Sequence, residues 1–362
     1  VLALMRDPSV RVQQAAVGAA AAMCSPELIP ALVYKLGQRD TARAAAQALA
    51  SYGESVVDVL GKVLAQDREE PTLRRQVPRI LERIGTERCL DVLMRNLGVR
   101  DPDTRREAAR AAARLRDRLN ARVEESKVRA LVDEEIREHY QNLAALEDLA
   151  PIAGAHGGPD LLRDAIEERL ARNLDRIFRL LGIVYPLKAI ELIQSNLKSQ
   201  QATTRANAVE VLDNLLEAEE KRRILPLVED GPRERVIARG TELYELERKQ
   251  PQQWIEGYLG GRDPWLVIVA LHLTGELGLL RFRPFVEQHL RHADAIVRET
   301  ALRTLAIVAP PRELLAACGA LDDDRDAVVK RTLEYLVETA SRVVAVDAQV
   351  DAQATPPDAA VA

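Results

Sequence analysis

A turn followed by an alanine-rich helix recurs along this chain, and that recurrence limits what it can fold into. Asp7-Pro8-Ser9-Val10-Arg11 leads into the small-residue run Val12 to Met23, and Asp101-Pro102-Asp103-Thr104-Arg105 leads into a second such run. Aspartate ahead of proline is a helix-start signal. The carboxylate accepts backbone N–H groups of the first turn, where proline's missing N–H costs nothing. The pattern predicts that Val10 and Thr104 face inward, with an arginine one position on. The alanines that follow let neighbouring helices approach closely.

The arginine after each turn marks the period. Arg11, Arg43, Arg74 and Arg105 are separated by 32, 31 and 31 residues. Arg205, Arg235, Arg298 and Lys330 follow at steps of 30, 63 and 32, and Asp263-Pro264-Trp265 keeps the turn inside the doubled step. Self-similarity at such a period marks a solenoid, in which each repeat buries its apolar face on its neighbours. The expected fold is all-α, an α-α superhelix of helical hairpins with one enlarged hairpin in the middle.

Composition agrees. Apolar residues make up 47% of the 362 and aromatics only 3%, so the core is built from Ala, Leu, Val and Ile rather than from large rings. Net charge is −5 and the pI about 5.8, which argues against a dedicated nucleic-acid binder. Cys24, Cys89 and Cys318 are few, odd in number and widely spaced, and read as reduced, buried thiols in a cytosolic setting. No signal peptide is visible, and no window is apolar enough to span a membrane. The nearest is Pro264 to Leu280, which contains His272 and Glu276. Val1 to Met5 reads as the end of a helix, as expected of a fragment of a longer protein.

Helical spacing of Leu, Ile and Val divides the chain into four parts. Residues 1–122 form an N-terminal stack whose first repeat is truncated. In it Thr72 to Ile84 is expected as one helix. Residues 123–184 form a long hairpin, with helices Val123 to Leu149 and Asp160 to Val184 around a glycine-rich loop. Residues 185–340 form a second stack, and 341–362 a disordered tail or linker.

The search for chemistry is short. No phosphate-cradling glycine loop, H-E-x-x-H motif or nucleophile elbow is present, so no catalytic, cofactor-binding or metal-binding residue is assigned, no cofactor is expected, and the chain reads as a non-enzyme. Glu135 and His139 lie one helical turn apart and read as a solvated pair rather than half a metal site. His289 and His292 sit at a helix end, His156 in a loop. Asn207, Asp213 and Asn214 read as hydrogen-bonding links between repeats.

The sharpest constellation is basic. Arg75, Arg79 and Arg83 are spaced by four, as are Arg106, Arg110 and Arg114, and each pair is offset by 31 residues, one repeat step. Stacked in register, the six form two adjacent rows, extended by Arg118 and Arg122. From Arg105 to Arg129 nine basic residues face four acidic ones. Such rows are a candidate site for an acidic protein segment or anionic lipid headgroups. Nucleic acid is disfavoured because no aromatic stands nearby to stack a base. The plain alternative is a solvated face balanced by Glu82, Glu87 and Glu107.

The repeated Asp-Pro-x-Val-Arg at 7–11, with its variants at 101–105 and 263–267 and Ala-Ile-Val-Arg at 295–298, resembles the HEAT-repeat family of α-solenoids. The resemblance implies that the second helix of each hairpin lines a concave face and that the function is binding. A narrower resemblance rests on Arg172-Asn173-Leu174-Asp175-Arg176-Ile177-Phe178-Arg179-Leu180-Leu181-Gly182 with Tyr185-Pro186, and on the stretch Thr204 to Leu215. These look like the HEAT region that follows the membrane part of bacterial nucleotide transporters of the ATP/ADP translocase type. That resemblance implies a cytoplasmic module tethered at the inner membrane, with its own membrane domain as a further partner. HEAT-like DNA glycosylases and bilin lyases are the alternatives.

Overall fold

In a computed structural model the chain folds into paired helices joined by short turns, with no strand among the described residues. These are residues 1–66, 71–152, 157–261 and 263–354, with Pro71 and residues 347–354 described by backbone alone. Two compact units are present: Val1–Tyr140 with Ala171–Glu245, and Gln141–Leu170 with Leu246–Ala362.

In the first unit, α1 (Val10–Met23) precedes the hairpin of α2 (Ile29–Leu36) and α3 (Ala42–Ser51). Next come α4 (Val57–Ala65), α5 (Pro71–Arg74) and α6 (Val77–Ile84), then α7 (Glu87–Arg95) with α8 (Pro102–Leu119). The long helices α9 (Glu125–Leu149) and α10 (Gly157–Val184) follow, each contributing residues to both units. The hairpins α11 (Leu187–Leu197) with α12 (Ala202–Leu215) and α13 (Ala218–Val228) with α14 (Arg233–Tyr244) complete this unit. The second unit adds α15 (Pro251–Leu259) with α16 (Pro264–Glu276), α17 (Arg283–His289) with α18 (Ala295–Val308), and α19 (Pro311–Cys318) with α20 (Ala327–Ala354).

Second helices pack on second helices: α1 on α3, α3 on α6 and α6 on α8 in the first unit, α16 on α18 and α18 on α20 in the second. The contacts use small residues. Ala45, Ala48, Ala108, Ala111 and Ala112 are buried, as the alanine runs predict. This is the all-α HEAT-repeat arrangement expected from the period.

The helix-start signal has a specific geometry. Asp101, Asp263 and Asp294 each cap a helix, their carboxylates accepting from the backbone N–H of Thr104, Trp265 and Ile296. The third helical residue is then the one that turns inward: Thr104 and Val297 are fully buried and Leu266 nearly so. Val10 does not follow the prediction and is 38% exposed. The reason is a shift in the start: Ser9 is the cap of α1, so Val10 is the first helical residue and Val12, half-buried, occupies the third position. Asp7 instead accepts from the Ser9 N–H at 2.8 Å.

The arginine one position on is a staple. Arg298 donates to the carbonyls of His292 and Ala293 at 2.8 and 2.9 Å, closing the turn behind it. It also forks onto Asp324 of the following turn at 2.6 and 3.0 Å. Arg205 does the same with Ser199 O, Gln200 O and Asp230. The Arg298–Asp324 pair is shielded, the aspartate side chain being only 5% exposed. Arg298→Ala leaves two carbonyls and a carboxylate without their donor, and is expected to cost the second unit about 2 kcal/mol, read by urea unfolding followed through the tryptophans.

Four further expectations change. The helix read over Thr72 to Ile84 is broken into α5 and α6, with Arg75 and Gln76 in the turn between them. Pro78 accounts for the break: it has no N–H to give to Arg74 O, and its ring disfavours helical geometry at the preceding residue. Regular structure does not end at Ser341, because α20 continues to Ala354; residues 355–362 of the expected tail lie outside the described residues. Cys24 is exposed rather than buried, as the left-handed residue that ends α1, whereas Cys89 and Cys318 are buried. Val1 to Met5 leads into a short 3-10 turn, Leu4–Arg6, that buries Met5. The apolar window Pro264 to Leu280 holds α16 and the turn after it, and Val267, Ala270 and Leu271 of α16 lie in the core of the second unit. No helix among the described residues is long and apolar enough to cross a membrane.

Candidate anion-binding face

The two predicted arginine rows come together on α6 and α8, which pack against each other. Five of the six arginines meet carboxylates there. Arg75, in the turn ahead of α6, forks onto Asp101 at 3.0 and 3.1 Å and reaches Asp103 at 3.1 Å. Arg79 donates to Glu107 at 3.1 Å, and Arg110 reaches Glu107 at 3.0 Å and Glu82 at 3.7 Å. Arg106 lies 3.9 Å from both Asp103 and Glu107, and Arg114 lies 3.6 Å from Glu82. Arg83 is exposed, with no ion-pair partner among the described residues. Arg118, the expected extension, donates to Glu82 O at 2.6 Å beside Gly85, the left-handed residue (φ +83°) that ends α6.

Two of these carboxylates, Asp101 and Glu107, are held in the ionised form by their partners. Burial acts to raise Asp101, but the hydrogen bonds from Arg75 and Thr104 outweigh it and hold the group below the usual carboxylate range. Glu107 behaves alike: burial opposes, and the hydrogen bond from Arg79 with the charge of Arg110 prevails. The face is therefore a lattice of alternating charge in which five guanidiniums meet four carboxylates and Arg83 stands apart. An excess of positive charge remains, and Arg79, 67% exposed, is its most accessible paired member.

On the other side of α6 the pattern differs. An open groove of about 850 Å³ lies between α3 and α6, lined by Arg39, Arg43, Arg79 and Arg83 over Leu36 and Ala46. Arg39 and Arg43 were not singled out from the sequence as site residues. Their spacing of four was a usable signal, but Arg43 served only as a period marker.

The other singled-out groups fall elsewhere. Glu135 and His139 are not solvated: they are 6% and 5% exposed, inside a network between α9 and α10. Asn173 Nδ2 donates to Glu135 Oε2 at 2.6 Å, so Asn173 Oδ1 is the acceptor for His139 Nδ1–H at 2.8 Å. Arg176 adds its Nε at 2.9 Å to the same Glu135 oxygen, and Arg105 approaches the other oxygen at 3.6 Å. Burial, assisted by the charge of Arg176, pushes His139 down to about 4 against the hydrogen bond to Asn173 and the charge of Glu138. No group of three His, Cys, Asp or Glu among the described residues is arranged to hold a metal. His289 bonds Leu259 O at 2.7 Å, and burial lowers its affinity for a proton. His292 accepts from the Asp294 N–H. Asp213 links α12 to Lys221 of α13 at 3.1 Å, as expected, but Asn207 and Asn214 are exposed and make no such link among the described residues. His156 lies outside the described residues.

The residues that carry the narrower resemblance are mostly interior. Asn173, Arg176, Ile177, Phe178 and Leu181 are buried. Tyr185 donates to Glu220, which also holds Arg129 of α9.

Comparison with known proteins gives architecture. The comparison with curated proteins finds no match. Among solved structures, similar chains include one from the complex of CpcE and CpcF of phycocyanin lyase from Nostoc sp. PCC7120, at 18% identity and a TM-score of 0.28 over 87% of this chain and 94% of that one. Human deoxyhypusine hydroxylase in complex with glycerol is 16% identical, with a TM-score of 0.23 over 80% of this chain and 97% of that one. An engineered protein is 14% identical, with a TM-score of 0.18 over 94% and 95%. At scores this low none of these likenesses bears on function. Residues 34–114, the stretch that contains all six predicted arginines, match the family model of HEAT repeats.

Proposed function

We propose that the chain is a non-catalytic helical scaffold that binds an acidic segment of a protein partner through its arginine face. The observation that carries this reading is the register of the arginines. Two rows of three stand on successive repeats and exceed the carboxylates interleaved with them. Guanidinium forks favour carboxylates over point-charge recognition, and the field of such a face steers anions toward it.

In the finer form of the proposal, the scaffold is the cytoplasmic HEAT region of a nucleotide-transporter-type membrane protein of bacteria. The support is the sequence resemblance over residues 172–186 and 204–215. Reading the gene upstream of Val1 tests it: a set of apolar spans is expected, and a start codon within a few residues of Val1 overturns it.

The binding reading is tested by heparin chromatography at several salt concentrations. Arg79→Gln with Arg110→Gln is expected to lower the salt needed for elution and to reduce the salt slope by about 2, one per lost contact. Unchanged retention, with helical content preserved by circular dichroism, overturns it.

A further inference from the structure

The arginines on the two sides of α6 are used differently. Toward α8 they are laced to Asp101, Asp103, Glu107 and Glu82. Toward α3 the groove has no acidic side chain in its lining. Arg39, Arg43 and Arg83 are exposed and have no hydrogen-bond or ion-pair partner among the described residues, while Arg79 turns to Glu107 on the far side. Like charges gathered without counter-ions repel one another, and a ligand anion relieves that repulsion. The floor is held in place beforehand: Gln76 Nε2 donates to Leu36 O at 2.9 Å.

We propose that the α3/α6 groove binds an extended acidic peptide segment of the partner protein. The proposal rests on the scaffold reading above and names where, and by what sequence, the partner is held. Groove residues recur every three or four positions on both helices, so the groove runs along the helix axes. Arg79 and Arg83 are four residues apart, about 6 Å along α6. In an extended chain, side chains two apart stand on the same side, about 6.6 Å from one another, while neighbours point to opposite sides. A chain lying in the groove therefore sends its third residue to Arg83 and its first to Arg79, which it shares with Glu107. Its second and fourth go to Arg39 and Arg43. The fitting sequence is a run of four consecutive acidic residues. Glutamate is favoured over aspartate, because its extra methylene lies over Leu36 and Ala46. No aromatic ring lines the groove, so nothing stacks an unpaired base, and a nucleic-acid strand fits less well.

The test is fluorescence anisotropy of a labelled, end-blocked peptide of four glutamates flanked by glycine and serine, titrated with the full chain. Saturable binding that weakens as salt rises is expected. Arg43→Gln with Arg83→Gln is expected to weaken it about tenfold or more. Lys188→Gln with Arg222→Gln, the same charge change on α11 and α13, is expected to leave it within about twofold. Circular dichroism confirms that each variant folds. The proposal is overturned if the groove variant binds the peptide like the wild type. It is equally overturned if an oligothymidylate of matched charge binds more tightly than the peptide. Heparin retention separates the two readings. If retention depends on Arg79 and Arg110 while the peptide ignores Arg43 and Arg83, the groove assignment falls alone; if no polyanion is retained, both fall.

Discussion

Arg176→Met is expected to destabilise the first unit by about 3–5 kcal/mol, the usual cost of breaking a buried ion pair from one side. Arg176 is 5% exposed and Glu135 6% exposed, and the guanidinium supplies two contacts, at 2.8 and 2.9 Å, to one oxygen of that carboxylate. Without them Glu135 keeps only Asn173 at 2.6 Å and the distant Arg105. The substitution preserves side-chain length, so the loss reports charge rather than a cavity. A double variant, Glu135→Leu with Arg176→Met, removes both charges and is expected to recover part of the loss, while Asn173 still lacks one acceptor. Amide exchange in α9 and α10 under increasing urea reads the effect within this unit. A single variant that unfolds at the wild-type urea concentration refutes it.

The same network makes stability depend on pH. His139 is neutral in the fold, its proton affinity pushed down to about 4 from the ordinary 6.5. Between those values the unfolded chain binds a proton that the folded chain refuses. Stability from this group is therefore complete above pH 6.5 and falls as pH drops toward 4. The span of the shift corresponds to about 3 kcal/mol. His139→Gln keeps a donor for Asn173 Oδ1 and cannot titrate. The difference between wild type and variant across that pH range isolates His139 from the many carboxylates that titrate nearby. Parallel pH profiles for the two proteins would show that the imidazole is not held neutral.

Much of the architecture is legible from the residues. The period of about 31, the Asp-Pro starts and the alanine runs are local signals, each acting within one turn of helix. A solenoid multiplies those local signals, because each repeat meets only the next. Where the structure departs from the expectation, the cause is either a local residue that outweighs the repeat pattern or a partner distant in sequence. Val10 was expected inside because Asp7-Pro8 copies Asp101-Pro102, yet Ser9 caps α1 and the start moves by two residues. The helix over Thr72 to Ile84 looked continuous by its apolar spacing, and Pro78 was the local warning left unused. Glu135 and His139 looked solvated because their partners, Asn173 and Arg176, lie 34 and more residues away on another helix.

The arginine face divides along the same line. The sequence by itself placed the six arginines in two rows, from a spacing of four and an offset of 31 between repeats, although Arg75 joins its row from the turn ahead of α6. It also marked an arginine after most of the turns, and the structure makes staples of Arg205 and Arg298. Only the tertiary structure decided which arginines are already satisfied. Arg75 and Arg110 are held by Asp101, Glu107 and Glu82, whereas Arg39, Arg43 and Arg83 face an open groove. The physical reason is range. Helical periodicity is set by neighbours three or four residues away, but the net field at a guanidinium is set by every charge within a screening length of about 8–10 Å. Those charges arrive from other repeats, and their positions exist only once the chain has folded.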